Sequence, residues 1–357
     1  MSRNAKATYA KIFDRLTAYV ADHDLTMPSG QRRIFLEEDA YTILLDTKRI
    51  EYLRIGRRQA AALLQTTSGR VLAISGFDAQ KMRTSPSIRE MDWSPGIAVA
   101  AIADLEVEPK ATPLEVVNIV AAGSADDSHY QGHDLGDVQP LFPPLRLMEI
   151  DSEIEGTENF AANLLTFCAA EGADGNGWIN KALADELVGL AEQHIAGLPY
   201  EFLVRATLDL DPKNLFLALY RCLEATYAFT RASELAEKLG INDRSWFDVA
   251  KALGESLSWY PRHDQSLAAI LDLPAVSRAD LDELAASLGK EPGGDGVATR
   301  VASGVRELRN SLVHYGPTTR PVTVPDDDWN RLCAPLARVV GQVFSHTYGG
   351  QGTTVMP

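Results

Sequence analysis

Val301-Ala-Ser-Gly-Val305-Arg306-Glu-Leu308-Arg309-Asn310-Ser-Leu312-Val-His314-Tyr315-Gly316-Pro317 is the stretch on which the reading of this chain turns. Val301, Val305, Leu308 and Leu312 recur at helical spacing, which at ~100° per residue makes one apolar stripe. Arg306, Asn310 and His314, spaced by four, share the opposite side, and Arg309 lies at the edge of the stripe. Gly316-Pro317 stops the helix and leaves His314 in its last turn, where the helix dipole favours the charged imidazole. Taken alone, an Arg, an Asn and a His on the wet side of a helix are also what an ordinary solvated surface carries.

Working outward, the flanking sequence is helical on both sides. Asp211 is an N-cap with Pro212 at the first helical position. From there Leu215, Phe216, Leu219, Tyr220, Leu223, Tyr227, Leu235 and Leu239 predict one long helix that Gly240 closes. Trp246 to Trp259 forms a second helix, ended by Pro261, and Ser277 to Leu288 a third, capped by Ser277 or Asp280. Gly289 to Asp295 reads as a flexible hairpin before the quoted stretch. After Pro325, Asp326-Asp-Asp328 caps a last helix whose core face is Trp329, Leu332, Leu336, Val339, Val340 and Val343. Short connections favour antiparallel neighbours, hence a bundle over residues 206–350.

The first half reads differently. Residues 4–22 place Tyr9, Ile12, Phe13, Leu16 and Val20 on one helical face. Met27-Pro-Ser-Gly30 is turn chemistry. Strand-like runs follow at Arg33–Glu37, Tyr41–Asp46, Ile50–Ile55 and Arg70–Ser75, which predict a small, mainly antiparallel sheet. Gln59–Gln65 fits either a short helix or a further strand, and Leu114–Val120 either a strand or the start of a helix. Trp93-Ser-Pro-Gly96 is a turn before an apolar run from Ile97 to Val107, and Ser124 to Gln139 is a polar loop. Pro140-Leu-Phe-Pro-Pro-Leu145 and the acidic run Glu149 to Glu158 make the best linker. Beyond it, Asn159–Ala170 and Trp178–Ala196 read as helices, the second ending at His194, a surface residue complementing the dipole. The expected fold class is therefore α+β. A mixed α/β region spans residues 1–145, an acidic linker with connecting helices 146–205, and a helical bundle 206–350.

Composition narrows the function classes. Of 357 residues, 45% are hydrophobic and 23% charged, as in a soluble globular protein of two or three domains. The N-terminus lacks the apolar core of a signal peptide, and the most apolar run, Gly96 to Leu105, is too short to span a bilayer. Cys168, Cys222 and Cys333 each fall on an apolar helical face, which implies buried free thiols in a reducing cytoplasm. The net charge of −15 argues against a broad nucleic-acid-binding surface. It is unevenly spread: residues 1–100 carry 15 Lys/Arg against 11 Asp/Glu, and residues 101–200 carry 3 against 18. His129 and His133, next to Asp134, have an H-x3-H spacing. Gly132 and the loop composition argue against a shared helical face, and no third ligand is placed, so no metal site is assigned.

Arg309-Asn310-Ser-Leu-Val-His314 resembles the R-x4-H motif of the HEPN superfamily, in which the position after the Arg is often Asn, Asp or His. The likeness covers residues 206–350 and leaves the first two hundred residues outside it. It implies a HEPN-like bundle acting as a metal-independent endoribonuclease without cofactor, with Arg309, His314 and Asn310 catalytic. Arg306, on the His314 face, and Tyr315 are the candidate substrate contacts. The domain pattern is similar to prokaryotic antiphage and abortive-infection members, in which an N-terminal region senses infection or tethers a partner. Toxin-type members carry a Tyr two positions after the His and are silenced by its modification; here Tyr315 follows His314 directly and Gly316 holds the other position, a departure that counts against that regulation. RNA is the implied substrate, a phage-derived trigger or regulatory protein the implied partner of the N-terminal region, and the cytoplasm the implied location. Arg309 and His314 are five positions apart, ~140° around a helix, so one copy does not easily converge both on one phosphate. In the family two domains pair and their motifs together make a composite cleft, which implies for this chain a homodimer through the C-terminal helices or a partner with its own HEPN domain. The alternatives are a non-catalytic HEPN module for dimerisation or nucleotide binding, and a wet helix face in an unrelated bundle.

Overall fold

Strands β1 (Lys48–Arg54), β2 (Ala60–Gln65), β3 (Arg70–Ser75), β4 (Ile88–Glu90) and β5 (Leu145–Ile150) form an antiparallel sheet in the order β1-β2-β3-β5-β4. The computed structural model describes residues 3–77, 88–121, 130–150, 160–174, 177–241, 243–313, 324 and 326–349. They divide into two units, Met1–Phe160 and Ala161–Pro357. The chain is therefore mixed α/β, with a small antiparallel sheet in the first unit and a helix-rich second unit.

In the first unit, helices α1 (Ala5–Ala21), α2 (Glu38–Asp46), α3 (Pro95–Leu105), α4 (Pro113–Ala121) and the single turn α5 (Leu135–Val138) accompany the sheet. The apolar run Ile97–Leu105 is wholly buried as α3, which starts with Pro95 in its first turn. Alanines make this packing close: Ala60, Ala62 and Ala73 of the sheet share one core with Ala98, Ala100, Ala101 and Ala103 of the helix. A Cβ added at Gly96 would meet the Ala40 carbonyl oxygen at 2.2 Å, so α2 crosses α3 at a point only glycine allows. The last carbonyls of α3 find donors outside the helix. Arg15 bonds those of Ile102 and Ala103 (both 3.0 Å), Arg49 that of Asp104 (2.8 Å) and Tyr52 that of Leu105 (3.2 Å). The buried Asp104 carboxylate is held by Arg3 at 2.5 Å and Lys11 at 3.4 Å.

Several expectations need correction here. Tyr41–Asp46 is not a strand but the body of α2, whose Glu38 and Asp39 favour a helix start. Among the described residues Arg33–Glu37 forms one bridge, Ile34 to His133. Gln59–Gln65 resolves as β2, and Leu114–Val120 as α4. The polar loop from Ser124 contains α5, where the Asp134 side chain accepts the Gly136 N–H at 2.6 Å. Leu141 and Phe142 are buried and Leu145–Ile150 is a strand, so the Pro-rich stretch belongs to the first unit rather than to an exposed linker.

The second unit is built from α6 (Phe160–Asp174), α7 (Lys181–Glu192), α8 (Tyr200–Thr207), α9 (Lys213–Ala225), α10 (Phe229–Leu239), α11 (Trp246–Leu257), α12 (His263–Leu271), α13 (Arg278–Ser287), α14 (Val297–Val313) and α15 (Asp326–Tyr348). The expected long helix breaks in two. The Thr226 hydroxyl turns back onto the Leu223 carbonyl at 2.9 Å, and the chain leaves helical geometry there before α10 begins. Helix α12 was not anticipated; it buries Leu267, Ile270 and Leu271. Nor is Gly289–Asp295 a loose hairpin. The Asp282 carboxylate accepts the Gly293 N–H at 2.7 Å, and Arg300 bonds the carbonyls of Glu291 and Asp295 at 2.9 and 3.1 Å.

Helix α15 packs against α7, α9 and α13, and its expected face of Trp329, Leu332, Leu336, Val339, Val340 and Val343 is buried. Beside that face Arg338 spreads its guanidinium over three carboxylates: Glu186 of α7 and Asp280 of α13, each at 2.6 Å, and Glu283 of α13. Burial alone would lower the Arg338 pKa, but bonds to Asp280 and Glu186 outweigh it and raise the value. Gln342 extends the network, donating to Asp280 at 2.7 Å and accepting the Ser277 N–H at 2.9 Å. Arg338→Met leaves three acids facing one another without their cation. It should lower the unfolding free energy by about 1–3 kcal/mol, discounted for partial exposure. Arg338→Lys should recover only part of that, since an ammonium cannot fork to three partners. Urea unfolding of the full chain reads both.

Candidate functional site

Helix α14 follows the expected pattern: Val301, Val305 and Leu308 are buried, Leu312 is half-buried, and Asn310 is exposed. Arg306 and Arg309 are half-buried on its rim. The structure adds what holds Arg309. Its guanidinium lies over the Tyr220 ring of α9, 5.8 Å from the centroid, and its Nη1 donates to the Asn310 Oδ1 at 3.2 Å. Tyr227, just past the break after α9, donates its hydroxyl to that of Tyr220 at 3.2 Å.

The electrostatics of this seam are coupled. Burial raises the Tyr220 pKa; Glu224, hydrogen-bonded to the phenol, raises it further, while the Tyr227 hydrogen bond and the Arg309 charge pull it back. Tyr227 is raised more strongly, by burial and then by its bond to Tyr220. Both phenols therefore stay protonated across physiological pH, and can donate and accept hydrogen bonds without carrying charge. The arrangement presents a permanently charged fork, fixed from below by an aromatic face and from the side by an amide. An oxyanion such as phosphate, which offers two oxygens to a guanidinium at once, suits such a fork.

Of the five residues singled out from sequence, Arg309 and Asn310 are in contact. Arg306 lies one turn earlier on α14, where its charge helps hold the Glu307 carboxyl low, behind Lys290 and Ser303. His314 and Tyr315 lie outside the described residues. Sequence reading missed the roles of Tyr220, Glu224 and Tyr227. Tyrosines at helical spacing read as core, although a Glu four residues after Tyr220 places a carboxylate on the same face.

The histidine pair considered for a metal resolves in part. His129 lies outside the described residues. His133 is not on a surface loop: it is buried, its ring 5.1 Å from Phe13 and 5.4 Å from Tyr130, and its Nε2 has no hydrogen-bond partner among the described residues. Among the described residues no three His, Cys, Asp or Glu side chains group as metal ligands. His194 also departs from expectation. Its Nδ1 is buried without a partner, and burial lowers its pKa, which favours the neutral ring over a dipole-complementing cation. The three cysteines are buried free thiols, with burial pushing Cys222 up to about 12. No helix among the described residues is long and apolar enough to cross a membrane. Comparison of the chain with protein-family models, curated proteins and solved structures finds no match.

Two outcomes follow from these geometries. Tyr227→Phe keeps the ring and deletes the donor to Tyr220, which should cost about 1 kcal/mol in urea unfolding. For His133, burial and the Arg32 charge lower the folded pKa below the ordinary 6.5. Below that value the unfolded chain binds more protons than the folded one, so stability present above it drains as pH falls through the depressed folded value. His133→Phe should flatten this acid-side slope of stability against pH; an unchanged slope would remove His133 as its source.

Proposed function

We propose that residues 206–350 are a HEPN-type, metal-independent endoribonuclease whose site is completed by a second copy of the chain. The observation that carries this reading is the oriented Arg309 fork, held over Tyr220 and beside Asn310 on the rim of α14. It is supported by the fit between that fork and the R-x4-H motif that Arg309 opens. A cation fixed before substrate arrives stabilises charge growing on phosphate without reorganising during the reaction.

The chemistry needs no cofactor. A ribose 2′-oxygen attacks the adjacent phosphorus while its proton passes to a base. The bond from phosphorus to the 5′-oxygen breaks, and that oxygen takes a proton from an acid. The products are a 2′,3′-cyclic phosphate and a 5′-hydroxyl. His314 suits either proton transfer near neutral pH, Arg309 offsets the phosphate charge, Asn310 orients its neighbours, and Arg306 and Tyr315 contact the RNA. Two copies of the motif supply an acid and a base together, which one helix does not. In this reading the first unit is regulatory, answering to a phage-derived trigger or a partner protein, and the protein works in the cytoplasm in antiphage defence or as a toxin.

The test is cleavage of labelled RNA by the full chain, with end-group analysis of the products. Arg309→Ala and His314→Ala should each lower the rate by roughly a hundredfold or more, and a chelator should leave it unchanged. Undiminished cleavage by both variants would sink the proposal. A folded chain that cleaves nothing under any trigger yet binds nucleotide saturably through this unit would favour the non-catalytic HEPN module instead.

A further inference from the structure

The first unit contains an open cavity of about 860 Å³ between the start of α1, the segment 31–36 and α2. Its lining is basic although the chain as a whole is acidic. The protein carries 49 Asp and Glu against 34 Lys and Arg, yet no acid lines this cavity among the described residues, while Lys6, Arg32 and Arg33 do. Three aromatic rings, Tyr9, Phe35 and Tyr41, line it as well. Phe35 and Tyr41 are 47% and 41% exposed, large for aromatic faces.

The walls are built rather than loose. Arg32 is tied back to the Thr17 hydroxyl at 2.7 Å and to the Pro28 carbonyl. Arg33 lies over the Tyr130 ring, 6.0 Å from its centroid, and bonds the Tyr130 carbonyl at 3.2 Å. Tyr9 is 8% exposed, and its phenol is within electrostatic reach of both Tyr41 and Arg33. Rings and cations thus converge on one space of small-molecule size. A ligand that complements it offers a flat π face to the tyrosines and negative charge to the cations.

We propose that this cavity binds a nucleotide, with the base against Tyr41 and Phe35 and the phosphate at Lys6 and Arg33. Aromatic walls accept any base through its π face, and lysine and arginine recognise phosphate as point charge and fork. The size suits a mononucleotide rather than a folded partner, and a bound nucleotide would give the first unit a chemical input of its own. The inference does not depend on the second unit cleaving RNA.

The experiment is equilibrium dialysis of the full chain against the common ribonucleoside mono- and triphosphates, the matching nucleosides, and inorganic phosphate. At least one nucleotide should bind saturably at one per chain, more tightly than its nucleoside and than phosphate. Tyr41→Ala and Lys6→Ala, both at exposed positions, should each weaken it about tenfold with thermal unfolding unchanged. Arg309→Ala should leave this binding intact, which separates it from the site on α14. Absence of saturable binding by every nucleotide would overturn the proposal. So would binding that Tyr41→Ala and Lys6→Ala leave unchanged, or phosphate binding as tightly as any nucleotide.

Discussion

Helix α15 is the constraint on which the second unit depends. It buries Trp329, Leu336, Val340 and Phe344 among its neighbours, but an apolar stripe does not fix the angle at which neighbours lie. Arg338 supplies that. One planar cation answers carboxylates from α7 and α13, and Gln342 ties the start of α13 to the same network. Hydrophobic burial drives association without direction, whereas a forked ion pair is satisfied only in a narrow range of geometries. With α13 and α9 placed by α15, α14 packs on both and on α12, and its rim carries Arg309.

The seam between α9 and α14 then positions a charge. Tyr220 gives its face to Arg309 and its hydroxyl to Tyr227 and Glu224. This fixes a charged side chain at the edge of the unit rather than leaving it to sample solvent. A phosphate-binding arginine profits from such support, since each rotamer frozen beforehand is entropy not lost on binding. The first unit solves its own version of the problem around α3. There Arg15, Arg49 and Tyr52 meet the carbonyls that end a wholly buried helix.

Much of this was legible from residue order, and the failures have identifiable causes. Where one face is wet, the period shows: α1, α14 and α15 lie where their spacing puts them. β2 was ambiguous because Ala60–Leu64 is buried throughout, which erases the alternation that marks a strand. Tyr41–Asp46 has strand-like composition, yet it forms α2 behind the acidic first turn of Glu38 and Asp39, packed on α3 at Gly96. The break at Thr226 rests on one hydroxyl turning back to a carbonyl, which no periodicity records. At the candidate site Arg309 and Asn310 stood out as polar residues on a helix. Tyr220 and Tyr227 did not, because a buried phenol with a hydrogen-bond partner looks in sequence like any core aromatic.

If the proposed endoribonuclease site is a pair, measuring RNA cleavage and molecular mass together over a dilution series of the purified chain tests it most directly. A paired site gives a species of two chains, with the specific activity falling as dilution separates them and recovering on concentration. Full specific activity in a solution shown by light scattering or sedimentation to hold only single chains would contradict it.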